Sequence, residues 1–281
     1  MKRMQINPIT KKDIKITARG KRFFIELFIY ELIVMITFVI SIDILAKGGN
    51  LKTSDYTTFS SLFPAVSLVQ LIIVSFVIPV MTGASISGEK ERQTFDIMLT
   101  TATKPVFIVW GKLFSVVVRV IMFVIASIPL MAVSFVSGSI SWSMLFLFIG
   151  MMVVYSFFIA SLGIYASAVC RRSMTAIIFS FVLIFVITFG TVLVALLEVV
   201  AFDRMIVSSA FLLLNPLVYF EGLFMVACDK QYILNMKFLG GLSELDKGYG
   251  LIIVSSFAMI LLTMLFIIFA SRKIDPLRNK K

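Results

Sequence analysis

The densest chemistry-bearing cluster in the chain is Glu89-Lys90-Glu91-Arg92, and it follows Gly83-Ala-Ser-Ile-Ser-Gly88. Two glycines five apart before a charged run have the spacing of a phosphate-binding loop. That chemistry needs Lys directly after the second glycine and then a hydroxyl for magnesium. Glu89 occupies the Lys place and would repel phosphate, so the pattern is rejected as an ATP site. No histidine exists anywhere in the 281 residues. His-based metal sites, Ser-His or Cys-His nucleophile pairs and a His general base are therefore excluded. The two cysteines, Cys170 and Cys228, are too few for a disulfide framework or a four-Cys zinc site. The topology derived below puts them on opposite sides, so no bond between them is expected. Three more charges, Glu26, Glu31 and Arg119, lie inside apolar runs, where a charge is costly and is normally paired or turned to a cavity.

These residues sit in an unusually apolar chain. Hydrophobic residues make up 60% and charged residues 15%, with a mean hydropathy of +1.05. A soluble domain is about 45–50% apolar and about 25% charged, so the solvent implied is lipid. The formal charge of +11 does not imply nucleic acid, because the basic residues cluster at the ends of apolar runs, where they set topology.

The expected fold class is all-α: six transmembrane helices, with both termini cytoplasmic. One transmembrane domain covers 1–281, with spans at 23–46, 62–82, 106–136, 144–169, 174–200 and 249–270. Residues 1–22 form a basic amphipathic N-terminal segment, and 271–281 a cytoplasmic tail. The first run is too long for a signal-peptide core and lacks a small-x-small cleavage site. Nineteen of the 26 Lys and Arg fall on the side of the termini and six on the other, which orients the spans. The region 201–248 is awkward, because 205–227 is also mostly apolar. A seventh span would carry the basic tail outside, and Asn215-Pro216 would break a helix in mid-run. The expectation is therefore a re-entrant or interfacial helical hairpin on the outer side before the last span, packed on other spans or a second subunit.

Depth counting at about 1.5 Å per residue from Arg22 and from Trp110 puts Glu31 and Arg119 at one level. A Glu31–Arg119 pair is expected; the plainer alternative is that Glu26 and Arg119 snorkel to the cytoplasmic face. The fourth span carries Ser156, Ala160, Gly163 and Ser167 at helical spacing, which permits close helix approach. Ordinary packing within the chain explains them more simply than a subunit interface.

The stretch Ser85 to Thr101, with Glu89, Glu91, Arg92, Thr94, Phe95, Asp96, Met98 and Leu99, continues to Lys104-Pro105 and Gly111-Lys112. It resembles the segment between the second and third spans of ABC-2 type transporter permeases, the membrane subunits of one class of ATP-driven transporters. The resemblance extends in layout to the Asn-Pro hairpin and the Arg-Lys-x-Asp-Pro-Leu-Arg tail at 272–278. Two departures stand out: Gln93 where the family commonly has Gly, and Ala102 where Pro is common. Phe95, Met98 and Leu99 fall at i, i+3 and i+4, the pattern of a short surface helix with one apolar face.

By resemblance this is a cytoplasmic coupling helix that docks on an ATPase. Arg171-Arg172 is then either a second, shorter coupling contact or simple topology-setting charge. The resemblance implies a transport subunit that is not itself an enzyme. ATP and magnesium would reside on a separate cytoplasmic ABC ATPase, with no cofactor on this chain. A second permease subunit, identical or different, would complete the pathway in a prokaryotic cell membrane, and export is the favoured direction. The competing readings are a stand-alone secondary transporter or channel, which calls for internal repeats that the sequence does not display, and a membrane-embedded enzyme, which lacks a nucleophile or metal signature.

Overall fold

The computed structural model describes residues 20–47, 62–95, 105–136, 141–202, 208–228 and 248–274. Helix dominates these residues, and no strand occurs among them. Apolar runs in lipid must satisfy every backbone N–H and C=O internally, and a helix does so within one segment. Six stretches are long and apolar enough to cross a membrane: Phe23–Ile44, Leu62–Glu91, Pro105–Val133, Trp142–Val169, Ser173–Glu198 and Tyr249–Ile274.

The helices are α1 (Lys21–Lys47), α2 (Leu62–Glu91), α3 (Pro105–Ala126), α4 (Ile128–Val136), α5 (Trp142–Val169), α6 (Ser173–Phe185), α7 (Thr191–Phe202), α8 (Ser208–Leu212), α9 (Pro216–Cys228) and α10 (Tyr249–Ile274). The third crossing is interrupted at Ser127, between α3 and α4. Pro129 lacks an N–H and its ring opposes the carbonyl four residues back, so the helix cannot run straight through.

Helix α5 is the hub, packing against α2, α3, α6, α9 and α10. Its small residues make this possible. A Cβ on Gly163 would lie 2.8 Å from Thr82 Cβ on α2, so the two helices approach as closely as backbone allows. Gly83 seats likewise against α6, where a Cβ would come 2.9 Å from the Ile177 Cα. Ser167 accepts hydrogen bonds from the backbone N–H of Ile86 and of Ser87, 2.9 Å each. The small residues of the fourth span thus serve packing within the chain.

These contacts explain a difference from the sequence-based expectation. Residues 83–91 read as the start of a polar loop, yet α2 continues through them to Glu91. The glycines and serines that weaken helix propensity in isolation are the ones that fit against α5 and α6. Tertiary packing overrides propensity here.

The fifth crossing is the least buried, and Met174, Ile178, Val182, Phe185, Phe189 and Leu193 are exposed on it. It changes pitch at Val186–Gly190, a single π-helical turn between α6 and α7. Such a turn disturbs the carbonyl ladder. The Asn215 side chain answers it by donating to the Thr188 carbonyl and the Thr191 hydroxyl, each at 2.7 Å. The same side chain caps α9, accepting from Leu217 N–H at 2.8 Å with Pro216 at the first helical position. The run 205–227 is therefore broken at Asn215-Pro216. At 13 residues α9 falls short of the ~20 that a crossing needs. It packs on α10 and α5, with Phe220 set edge-on to Phe148 and Tyr155.

Candidate functional site

The charged run at the end of α2 is tied into three separate elements by three successive residues. Glu89 receives a salt bridge from Lys112 of α3 at 2.6 Å, and Lys112 also donates to the Ser85 carbonyl at 2.7 Å. Lys90 donates to the carbonyls of Ala168 and Cys170, where α5 ends. The last carbonyls of a helix have no partner within it, so an ammonium suits that position twice over, as donor and as countercharge to the dipole. Glu91 does the converse for α6. Its carboxylate accepts from the Ser173 N–H at 3.1 Å and the Ser173 hydroxyl at 2.7 Å. Arg172, at the cap position of α6, makes no side-chain cap bond, so the cap comes from another helix.

Beyond Glu91 the chain reverses. Thr94 N–H donates to the Glu89 carbonyl at 3.0 Å and Gln93 N–H to the Lys90 carbonyl at 3.2 Å. This paired closure requires a left-handed residue at the turn, and Gln93 takes it at φ 57°. The residue that departs from the glycine pattern therefore occupies the one backbone position here that favours glycine. Gln93→Gly should raise stability by about 1 kcal/mol, the left-handed cost less the extra entropy of glycine. A thermal melt of the purified chain checks this, and a lowered melting temperature would contradict it. Phe95 folds back beneath Lys90, whose ammonium lies 5.6 Å from the ring centroid.

The structure divides the residues expected to dock a partner into two sets. Glu89, Glu91 and Phe95 are engaged within the chain, by Lys112, Ser173 and Lys90. Arg92, Thr94, Arg171 and Arg172 are exposed, with the Thr94 hydroxyl donating to the Glu89 carbonyl at 3.3 Å, and Glu91, also exposed, brings the two turns that carry them together. Asp96, Met98 and Leu99 lie outside the described residues.

Arg119 pairs differently from the sequence-based expectation. Its guanidinium meets Glu26 at 2.8 Å, not Glu31, and lies 5.5 Å from the Phe23 ring centroid. The depth count started from Trp110. In the fold Lys112 is level with Glu89 at the helix end, so Arg119 stands only two turns inside the charged zone, opposite Glu26. Glu31 lies one turn further along α1. In the interior, Gln70 of α2 donates to the Ser127 hydroxyl at 2.9 Å, bridging two crossings at the break.

Sequence reasoning missed Lys112 as a partner of Glu89, and Ser173 as a partner of Glu91. A signal existed for the first. Lys112 and Arg119 are seven apart, on one face of α3, and two cations on one face of an apolar helix call for two carboxylates opposite. No signal in the sequence marks Ser173.

Among the described residues no three His, Cys, Asp or Glu side chains converge, and Cys170 is a free thiol. What the arrangement does is bond one short segment to α3, α5 and α6 at once.

A family model described as "ABC-2 family transporter protein" matches residues 7–274. No curated protein matches the chain.

Proposed function

The chain belongs to the ABC-2 family of transporter proteins, and on that premise we propose that it is the permease subunit of an exporter driven by a separate ATPase. That family is one of membrane permeases, components of ABC transporters, and the six apolar helices accord with it. In the proposed arrangement the end of the bundle holding Glu89 to Phe95 faces the cytoplasm, as do both termini, in a prokaryotic plasma membrane. The hairpin at 208–228 lies on the outer side. An ABC ATPase, carrying the ATP and magnesium, docks against Arg92, Thr94, Arg171 and Arg172. A second permease subunit completes the pathway.

The single observation that supports this reading is the three-way tie at Glu89, Lys90 and Glu91. A docking surface that were only a loop would absorb a push. Here the exposed arginines stand on a turn bonded to α3, to the end of α5 and to the start of α6. Closure of the ATPases would shift these helices as a body and bias the bundle between two arrangements. A stand-alone transporter has no use for such a surface.

The test is co-purification. Reversing Arg92, Arg171 and Arg172 to Glu should weaken association with the ATPase encoded alongside by about tenfold or more, with a salt dependence that the wild type shows and the variant lacks. The variant's own melting temperature should fall only slightly, because all three side chains are exposed, although Arg92 and Arg172 flank the Glu91 carboxylate. Undiminished association would refute the docking surface. A Thr94→Cys thiol that reacts with an impermeant reagent in intact cells would refute the orientation.

A further inference from the structure

The fifth crossing is built of two halves that pack on different parts of the chain. Helix α6 packs on α2 and α5, with Ala176, Ser180 and Ile184 buried. Helix α7 packs instead on α8. Ala195 is its one buried residue among the described side chains. It shares a small apolar cluster with Leu212 of α8, Val218 of α9 and Leu251 of α10. The π-helical turn Val186–Gly190 joins the two halves, and none of its residues is buried.

Nothing in the turn itself demands the π pitch. It contains no proline, and a Cβ on Gly190 would meet an ordinary contact, with Val186 at 3.7 Å. What holds the turn comes from outside it. A single π turn carries one residue more than the α-helix it interrupts, and the carbonyl ladder is disturbed there. The Thr188 carbonyl accepts from the Asn215 amide, and the Ile187 carbonyl accepts from the Thr191 hydroxyl at 2.7 Å, which the same amide engages. Lipid does not choose the face that α7 presents, because residues 192–197 read Val-Leu-Val-Ala-Leu-Leu.

We infer that Asn215 is a latch that holds the fifth crossing one residue out of α-helical register, and that withdrawal of the hairpin at 208–228 releases it. In the released form the turn closes to α pitch. Helix α7 then rotates by about 100° and shifts by about 1.5 Å, one residue's worth. Val194 takes the place of Ala195 opposite Leu212. Valine is larger than alanine, so the released register keeps the hairpin standing off, whereas the latched register lets it seat. Hairpin position and helix register therefore favour each other, which makes the element two-state. The latch is separate from the turn after α2 and does not depend on an ATPase.

The experiment is oxidative cross-linking of the full chain in membranes, with Cys170 and Cys228 changed to Ser. One cysteine pair joins Ala195→Cys to Leu212→Cys, the other Val194→Cys to Leu212→Cys. With Asn215 present the first pair should form at least tenfold faster than the second. Asn215→Asp keeps the oxygen that caps Leu217 and removes the amide donor, and it should reverse the preference. Thr191→Val removes the other half of the latch, leaves the α9 cap alone and should shift the preference the same way. Deleting Ile187 takes the extra residue out of the turn. The crossing is then a continuous α-helix with Ala195 opposite Leu212, so the first pair should win whichever residue stands at 215. A first pair that still wins in Asn215→Asp, or in Thr191→Val where the Asp variant does not fold, overturns the proposal. Equal slowing of both pairs does the same, since Asn215 would then merely fasten the hairpin. A preference that Asn215→Asp reverses even after the deletion also overturns it, because the extra residue would not be the cause.

Discussion

Replacing Gly163 by valine should lower the melting temperature of the purified chain by about 10 °C, corresponding to roughly 3 kcal/mol. Gly163 is in the most enclosed part of α5, where it faces Thr82 and Ser180, both fully buried. A Cβ placed there would collide with the Thr82 hydroxyl, lie 2.8 Å from Thr82 Cβ and lie 3.7 Å from Ser180 Oγ. Thr82 cannot turn aside freely, because its hydroxyl donates to the Ile78 carbonyl at 2.8 Å. The helices must then separate, and α5 is the element on which most others pack, so the strain spreads. Gly163→Ala should show a smaller loss of the same origin. Thr82→Gly combined with Gly163→Ala should recover at least half of it, because the colliding atoms are gone. A double variant no better than the sum of its singles, or a Gly163→Val chain that melts like wild type, would mean that the two helices do not meet there.

The second large effect belongs to Lys112. Its side chain is 9% exposed and holds Glu89 at 2.6 Å and the Ser85 carbonyl at 2.7 Å. Removing one partner of a fully buried pair costs about 3–5 kcal/mol. Glu89 is 31% exposed and can partly rehydrate, so Lys112→Met should cost nearer 2 kcal/mol. Adding Glu89→Gln removes the stranded charge and should recover about half. The coupled readout is sharper. On the docking surface proposed above, the double variant should still bind the ATPase, through Arg92, Arg171 and Arg172, while its stimulation by this chain falls. Loss of binding together with stimulation would show that the salt bridge shapes the docking surface instead of linking it to α3.

The six crossings were legible because lipid leaves a simple mark: about twenty apolar residues closed by charge. The break at Asn215-Pro216 was legible for a similar reason, since proline forbids what the flanking residues would otherwise do. Three features were hidden, each because its cause lies far along the chain. The extension of α2 to Glu91 depends on Ile177 and Ser167. The π-helical turn at Val186–Gly190 carries nothing in its own residues that sets it off from the helix around it, and its polar partner is Asn215, more than twenty residues on. The choice of Glu26 over Glu31 for Arg119 depends on where Lys112 anchors α3. At the turn after α2 the sequence supplied the residue types but not their division. Glu89 and Glu91 look as available as Arg92 until Lys112 and Ser173 are seen to claim them.

The placement of α5 at the centre has a consequence for biosynthesis. Translation delivers residues 21–136 first, and α2 and α3 find their main packing partner only when 142–169 have followed. At about 5–20 residues per second, those 33 further residues take a few seconds. During that interval the three earlier crossings float in the lipid with the Ser75 hydroxyl lacking Tyr155 and the flank of Thr82 lacking Gly163. Nascent chains halted before Trp142 should therefore be the ones that insertion chaperones hold and quality-control proteases cut, whereas chains halted after Cys170 already possess the keystone against which the rest can lock.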